Sequence, residues 1–173
     1  MKAFYHLYVL TRKRQGLPPQ PYKFFQNMWD LFYPADMLNV LLAVNGSIPV
    51  SGIILAKFKD TMNYLYGGSN SKFHHLGPNH LLLWEGIQKA HRAGLKFFDF
   101  GRTGLENKGL LDFKRRWGTK EYKIISYTYP KMKKQKLLFN RKGAKPGLFY
   151  GLTKKLPTFI LKLGGKLFYK HLG

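Results

Sequence analysis

Phe97-Phe98-Asp99-Phe100-Gly101-Arg102, followed shortly by Phe113-Lys114-Arg115-Arg116-Trp117-Gly118, is the stretch on which the fold turns. The first part predicts a strand over 96–100 ending in a glycine turn. The second predicts a helix over 108–117 whose apolar stripe contains a lysine. Strand periodicity puts Phe97, Asp99 and Gly101 on one face and Phe98 and Phe100 on the other. Asp99 is therefore expected as an acid embedded among phenylalanines, and a buried carboxylate needs a partner, for which Arg102 and Arg116 are the candidates. A structural ion pair and a general base both stay open for it. Asp-Phe-Gly also occurs in protein kinases, but no phosphate-covering glycine loop and no His-Arg-Asp loop accompany it here, which excludes that class.

On the helix, Leu110, Phe113 and Trp117 fall at i, i+3 and i+7, with Lys114 at i+4 on the same face and Arg115 and Arg116 elsewhere. A lysine held half-dry in an apolar face acts more strongly than in water and can steady charge developing on a carbonyl oxygen or a leaving group. The other account of Lys114 is a packed stem with a wet ammonium.

Working outward, Phe4–Arg14 predicts a helix closed by basic residues and broken at Gly16-Leu17-Pro18-Pro19. A second helix is predicted from Pro21 to Leu31. Leu38–Val44 is continuously apolar, which suits an interior strand. Asn45-Gly46 signals a hairpin, Pro49–Phe58 the return strand with Gly52 marking a bulge, and Thr61–Tyr66 a third strand. Gly67–Gly77 reads as a polar loop. Pro78–Ala93 reads as a helix with Gly94 beyond its end, and Tyr122–Tyr129 as a last strand. The loop Tyr66-Gly67-Gly68-Ser69-Asn70 leads toward the helix that starts near Pro78-Asn79. Glycines allow close backbone approach to a ligand, and a helix N-terminus favours an anion. The element order predicts one mixed α/β domain with helices covering the sheet.

The chain has 173 residues, 45% hydrophobic and 16% aromatic, enough for one domain with a core. Without cysteine it has neither disulfides nor thiolate metal sites, and the adjacent His74 and His75 are read as loop residues; no metal site is expected. Thirty basic and eight acidic residues give a net charge of +22, of which residues 130–173 carry +12 with no acid, leaving 22 − 12 = +10 for 1–129. An anionic partner is implied: RNA, a phosphorylated precursor or a lipid surface. Neither a signal peptide nor an apolar run of about eighteen residues is visible, so a cytoplasmic protein, peripheral at the membrane, is expected. Residues 1–129 are expected as the domain and 130–173 as a basic linker and amphipathic helix. In that helix Leu152, Leu156, Phe159, Ile160, Leu163 and Leu167 form an apolar stripe, with Lys155, Lys162, Lys166 and Lys170 off it. The stripe packs on the domain or docks on a membrane; periodicity leaves both open.

Leu76-Gly77-Pro78-Asn79-His80-Leu81-Leu82-Leu83-Trp84-Glu85, Phe98-Asp99-Phe100-Gly101-Arg102-Thr103 and Gly109–Gly118 together resemble the second, C-terminal domain of FemAB-type peptidoglycan aminoacyltransferases. More narrowly they resemble the FemAB-like proteins of exopolysaccharide and exosortase systems, over residues 3–172. The resemblance implies a GNAT-like acyltransferase fold with a splayed, mixed central sheet. It implies an N-acyltransferase that moves an (amino)acyl group to an amine of a cell-wall or polysaccharide precursor. It places Lys114 and Phe113 as catalytic; the residues read above, Tyr66, Gly67, Ser69, Asn79, Asp99, Arg102, Arg116 and Trp117, are the expected substrate-binding set. No tightly bound cofactor is implied; the donor is aminoacyl-tRNA or acyl-CoA. The basic surface suits tRNA phosphates. The family has two tandem domains and this chain holds one, so a fragment, or a split enzyme with a partner carrying the first domain, is expected. The phosphate loop of acetyl-CoA enzymes is not visible before Pro78. The alternative function is a non-catalytic basic module of this fold that binds RNA or anionic membrane.

Overall fold

The computed structural model describes residues 1–125, 127 and 157–169. They group into two compact units, Met1–Gly101 with Leu148–Gly173, and Arg102–Gly147.

The first unit is a four-stranded sheet between helices. Helix α1 spans Lys2–Arg14 and α2 Tyr22–Phe32. Strands β1 (Leu38–Asn45), β2 (Ile48–Phe58) and β3 (Thr61–Ser69) form an antiparallel meander. A 3-10 turn, Ser71–Leu76, leads into α3, Pro78–Arg92, and α3 into the short β4, Phe97–Asp99. Sheet order is β1-β2-β3-β4, and β4 runs parallel to β3. The crossover from β3 to β4 is what α3 supplies, since parallel neighbours cannot be joined by a tight turn.

Each sheet face has its own core. Phe4, Tyr5, Tyr8 and Val9 of α1 and Phe25 of α2 pack on Leu38 and Ile54. Phe25, fully buried, has the Tyr8, Tyr66 and Phe4 rings at 4.9, 5.1 and 5.6 Å, each edge-on, the geometry that aromatic quadrupoles favour. On the other face Leu82 and Ala90 of α3 pack on Ile53, Leu55 and Met62.

A bulge decides which residues serve which face. In the β2–β3 register Ile54 pairs Tyr66 and Leu55 pairs Tyr64, so Leu65 is the extra residue. One extra residue reverses the alternation. Tyr64 therefore joins the α3 core, while Tyr66 joins the α1–α2 core. Beyond the bulge Gly67 lies under the Tyr64 hydroxyl and Gly68 against the backbone of Leu7 and Tyr8.

Several expectations change. β1 is an edge strand of this sheet, not an interior one; Leu38 joins the core on one face and Ala43 the core on the other, while Leu42 and Val44 are exposed. Gly52 is not a bulge: the shifts fall at Ala43/Val44 and Ile54/Leu55, and Gly52 instead makes room for Leu42 and Phe4. Gly67–Ser69 belong to β3, not to a loop. Residues 122–125 and 127 of the last predicted strand have no strand pairing, and its other residues lie outside those described, as does the linker over 131–145.

Helix α5, Thr158–Tyr169, packs on α1. Its seat is not the predicted stripe. Leu161 is buried, and Gly165 touches Pro19, whose carbonyl oxygen leaves no space for a side chain. Gly165→Ala is therefore expected to unseat α5, whereas Gly164→Ala, with open space around it, should raise stability by up to about 1 kcal/mol through helix propensity. Thermal melts of the two variants check this; equal shifts would refute the seat.

In the second unit α4 spans Lys108–Arg115, started by Asn107, whose Oδ1 accepts from Leu110 N at 3.2 Å.

Candidate active site

The parallel pair β3–β4 is joined only at Thr61↔Phe97, Met62↔Phe98 and Asn63↔Asp99. β3 then runs on from Tyr64 to Ser69 while β4 stops. Pairing ends where β4 closes in a tight turn: Asp99 Oδ1 accepts from Gly101 N at 2.6 Å, and Gly101 has φ 73°, which glycine adopts freely. The Leu65 bulge adds local twist to β3 at the same level. In α/β sheets ligands bind beyond the carboxyl ends of parallel strands.

The N-terminus of α3 is tied to this end of the sheet. Ser51 Oγ of β2 lies 2.6 Å from Asn79 Oδ1 and 3.3 Å from the Gly68 carbonyl. Gly77, at φ 65°, turns the chain into Pro78, the first helical residue. The first turn of α3 carries no acid, so its positive dipole end is not neutralised locally.

Ser69, at the end of β3, is 4% exposed and closely held. Its N–H donates to Thr11 Oγ1 at 2.8 Å, Arg14 donates to its carbonyl at 3.2 Å, and its hydroxyl lies 2.9 Å from His74 Nε2. Thr11, Arg14, Ser51 and His74 were not singled out in the sequence as site residues, and no spacing could announce contacts that span up to 58 residues. The one usable signal was His74 as a histidine close after the glycine pair.

Desolvation, then the Arg14 charge, holds His74 below its ordinary pKa of 6.5. The fold thus prefers the neutral ring. That stability is present above pH about 6.5 and is lost as pH falls through the lowered folded value. His74→Gln is expected to remove this acid-side slope from urea melts while leaving stability above pH 7 little changed; an identical slope in both proteins would refute the coupling.

The structure thus brings Tyr66, Gly67, Ser69 and Asn79 to one corner of the first unit. The Tyr66 ring and the Ser69 hydroxyl are both engaged by the scaffold. Asp99, also in this unit, is exposed and bonded within its own turn, so the expected buried carboxylate is not found. The strand is too short, and too near the sheet's margin, to bury both faces.

The second unit holds the rest. Phe113, Lys114 and Trp117 are half-buried and Arg115 and Arg116 are exposed, but Leu110, expected on the buried face, is exposed as well. α4 ends at Arg115, and Trp117 belongs to the closing turn, where its N–H donates to the Lys114 carbonyl at 3.0 Å. Thr119 Oγ1 donates to the same carbonyl at 3.1 Å, and Gly118 reverses the chain at φ 70°. Arg115 is clamped between Asp112, at 3.1 Å, and Glu121, whose carboxyl its hydrogen bond holds below the usual range. That network fixes the end of α4 and hence the backbone at Lys114. Arg102 is exposed.

A cavity of about 410 Å³ lies at the opposite, C-terminal end of α3, lined by Asp36, Lys57, Met62, Glu85, Lys89 and Arg92 among others. It belongs to neither part of the predicted site. Among the described residues no three His, Asp or Glu side chains are grouped to hold a metal ion.

Residues 1–123 match the family model described as an acetyltransferase (GNAT) domain. A lipid II:glycine glycyltransferase of Staphylococcus haemolyticus is 30% identical over 128 residues, 62% of this chain and 30% of the relative. The chain thus matches less than a third of that relative's length. Among solved structures, FemX superposes with a TM-score of 0.62 at 19% identity, over 68% of this chain and 47% of that one. AAC(6')-Iy in complex with the bisubstrate analogue CoA-S-monomethyl-acetylneamine superposes with 0.57 at 15% identity, over 72% and 92%. At such identities the superpositions establish the shared fold: a mixed four-stranded sheet flanked by helices.

Proposed function

The chain belongs to the GNAT acetyltransferase-domain family, and from that premise we propose that it transfers an aminoacyl group from aminoacyl-tRNA to an amine of a peptidoglycan precursor. One observation carries the proposal: the open carboxyl end of the β3–β4 pair, with a bulge beside it and an uncompensated helix N-terminus at the same end of the sheet. An acyl donor with a phosphate-rich tail needs such a crevice for its extended chain and such a helix end for its charge. The likeness to a lipid II glycyltransferase supports the aminoacyl donor and the cell-wall acceptor. The net charge of +22 favours a polyanion such as tRNA over a small thioester.

In this chemistry the acceptor amine attacks the ester carbonyl, the carbonyl oxygen takes negative charge, and the tRNA hydroxyl leaves. Lys114 supplies a cation for that charge, with Phe113 and Trp117 shaping its surroundings. Arg102 and Arg116, both exposed, are assigned to the anionic donor, and Asp99 orders the turn that ends β4. Residues 1–129 form the transferase domain and 130–173 its basic extension, acting at the cytoplasmic face of the membrane. Among the described residues no helix is long and apolar enough to cross it.

The test is a pair of measurements on the full chain. Binding of glycyl-tRNA and of acetyl-CoA is measured directly, and transfer to lipid II is followed with each. Saturable binding of glycyl-tRNA and glycyl transfer support the proposal. Binding of acetyl-CoA alone would overturn the donor, and binding of neither donor would overturn acyl transfer and leave a basic binding module.

A further inference from the structure

We propose that α5 is a membrane-docking helix that lays its outward apolar face on an anionic lipid surface. The seating of α5 separates its two sides. Leu161 and Gly165, four residues apart and so on one side, face α1 and Pro19. Lys162 borders that side, its ammonium 5.6 Å from the centre of the Tyr5 ring. Phe159, Ile160 and Leu163 are turned the other way and are 62%, 38% and 59% exposed. These three are the described part of the apolar stripe visible in the sequence, and the packing on α1 leaves them uncovered.

An amphipathic helix normally spends its apolar face on its own domain. Here the domain takes the Leu161–Gly165 side, where Gly165 allows a close approach to Pro19, and leaves Phe159, Ile160 and Leu163 out. A water-facing trio of Phe, Ile and Leu then needs an occupant. Charge selects it. Residues 130–173 contain twelve Lys/Arg and no Asp/Glu. A protein partner would need a matching acidic surface around a hydrophobic pocket, whereas an anionic leaflet offers negative headgroups and apolar chains together and without fixed geometry. The seat on α1 matters equally, because it holds the helix against the domain and so fixes which of its sides meets the lipid. The inference stands on exposure and charge, independently of acyl transfer.

Vesicle flotation of the full chain decides it. Wild type is expected to float with vesicles of phosphatidylcholine and phosphatidylglycerol, less with pure phosphatidylcholine, and less at high salt. Phe159→Ser/Leu163→Ser should lower the partition coefficient at least about tenfold, the loss expected when two large apolar side chains no longer enter lipid, with an unchanged thermal melt. Lys162→Ala, which leaves the apolar face intact, should keep most of the binding. Flotation of the double variant equal to wild type would overturn the proposal. So would equal binding to neutral and anionic vesicles, or a double variant that loses self-association and keeps flotation.

Discussion

Gly68→Ala is expected to destabilise the chain by about 3 kcal/mol, the upper end of what an overpacked core costs. A Cβ at Gly68 would lie 2.6 Å from both the Leu7 carbonyl carbon and Tyr8 Cα, and nearer still to the Tyr8 nitrogen. All three are backbone atoms of α1, so no side-chain rotation relieves the clash; the helix must move. Moving it breaks the bonds that join α1 to the end of β3, between Thr11 Oγ1 and Ser69 N at 2.8 Å and from Arg14 to the Ser69 carbonyl at 3.2 Å. It also opens the packing of Phe4 and Tyr8 on Phe25. Urea denaturation measures the loss, and a variant as stable as wild type would refute the close approach. The glycine pair at 67 and 68, which suggests room for a ligand, therefore makes room for the protein itself: Gly67 for Tyr64 and Gly68 for α1.

The second large effect concerns catalysis. Lys114→Met should lower turnover at least about tenfold, equivalent to about 1.4 kcal/mol of transition-state stabilisation, with little change in the concentration of donor needed for half-maximal rate. Methionine keeps the length and apolar stem and removes only the charge. The fold should survive, since the turn after α4 is closed through the Lys114 backbone carbonyl, which accepts from Trp117 N and Thr119 Oγ1 whatever the side chain. Lys114→Arg should restore part of the rate if the role is electrostatic. Unchanged turnover in Lys114→Met, or a rate loss matched by a loss of stability, would remove Lys114 from the chemistry.

How much was legible depends on the range of the interaction. Helices α1, α2 and α3 were readable because apolar periodicity and the breakers around them, such as Gly16-Leu17-Pro18-Pro19 before α2 and Gly94 after α3, are local. The β1–β2 hairpin was readable because Asn45-Gly46 dictates its turn. The edge position of β1 was not, since a run of apolar residues looks alike wherever a sheet places it. Asp99 was misjudged for the same reason: alternation with phenylalanines predicts burial only if something covers both faces. The Leu65 bulge could not be seen either. No residue type marks it, yet it assigns Tyr64 and Tyr66 to opposite faces.

The candidate site divides along the same line. The half-burial of Phe113 and Lys114 beside exposed Arg115 and Arg116 was predictable from helical spacing, whereas the exposure of Leu110 on the same predicted side was not. The cluster of Thr11, Ser69, His74 and Arg14 was not, because its members come from three separate elements.

The amino-acid sequence by itself determined helices α1 to α4, the first three strands and their order, the excess positive charge and the amphipathic character of α5, all of which follow from neighbours within a turn or two of the chain. Only the tertiary structure decided where β3 and β4 part, which glycines the core consumes, and which side of α5 is left to solvent. Those outcomes depend on excluded volume and on backbone pairing between residues far apart in the chain, and neither leaves a mark in local composition.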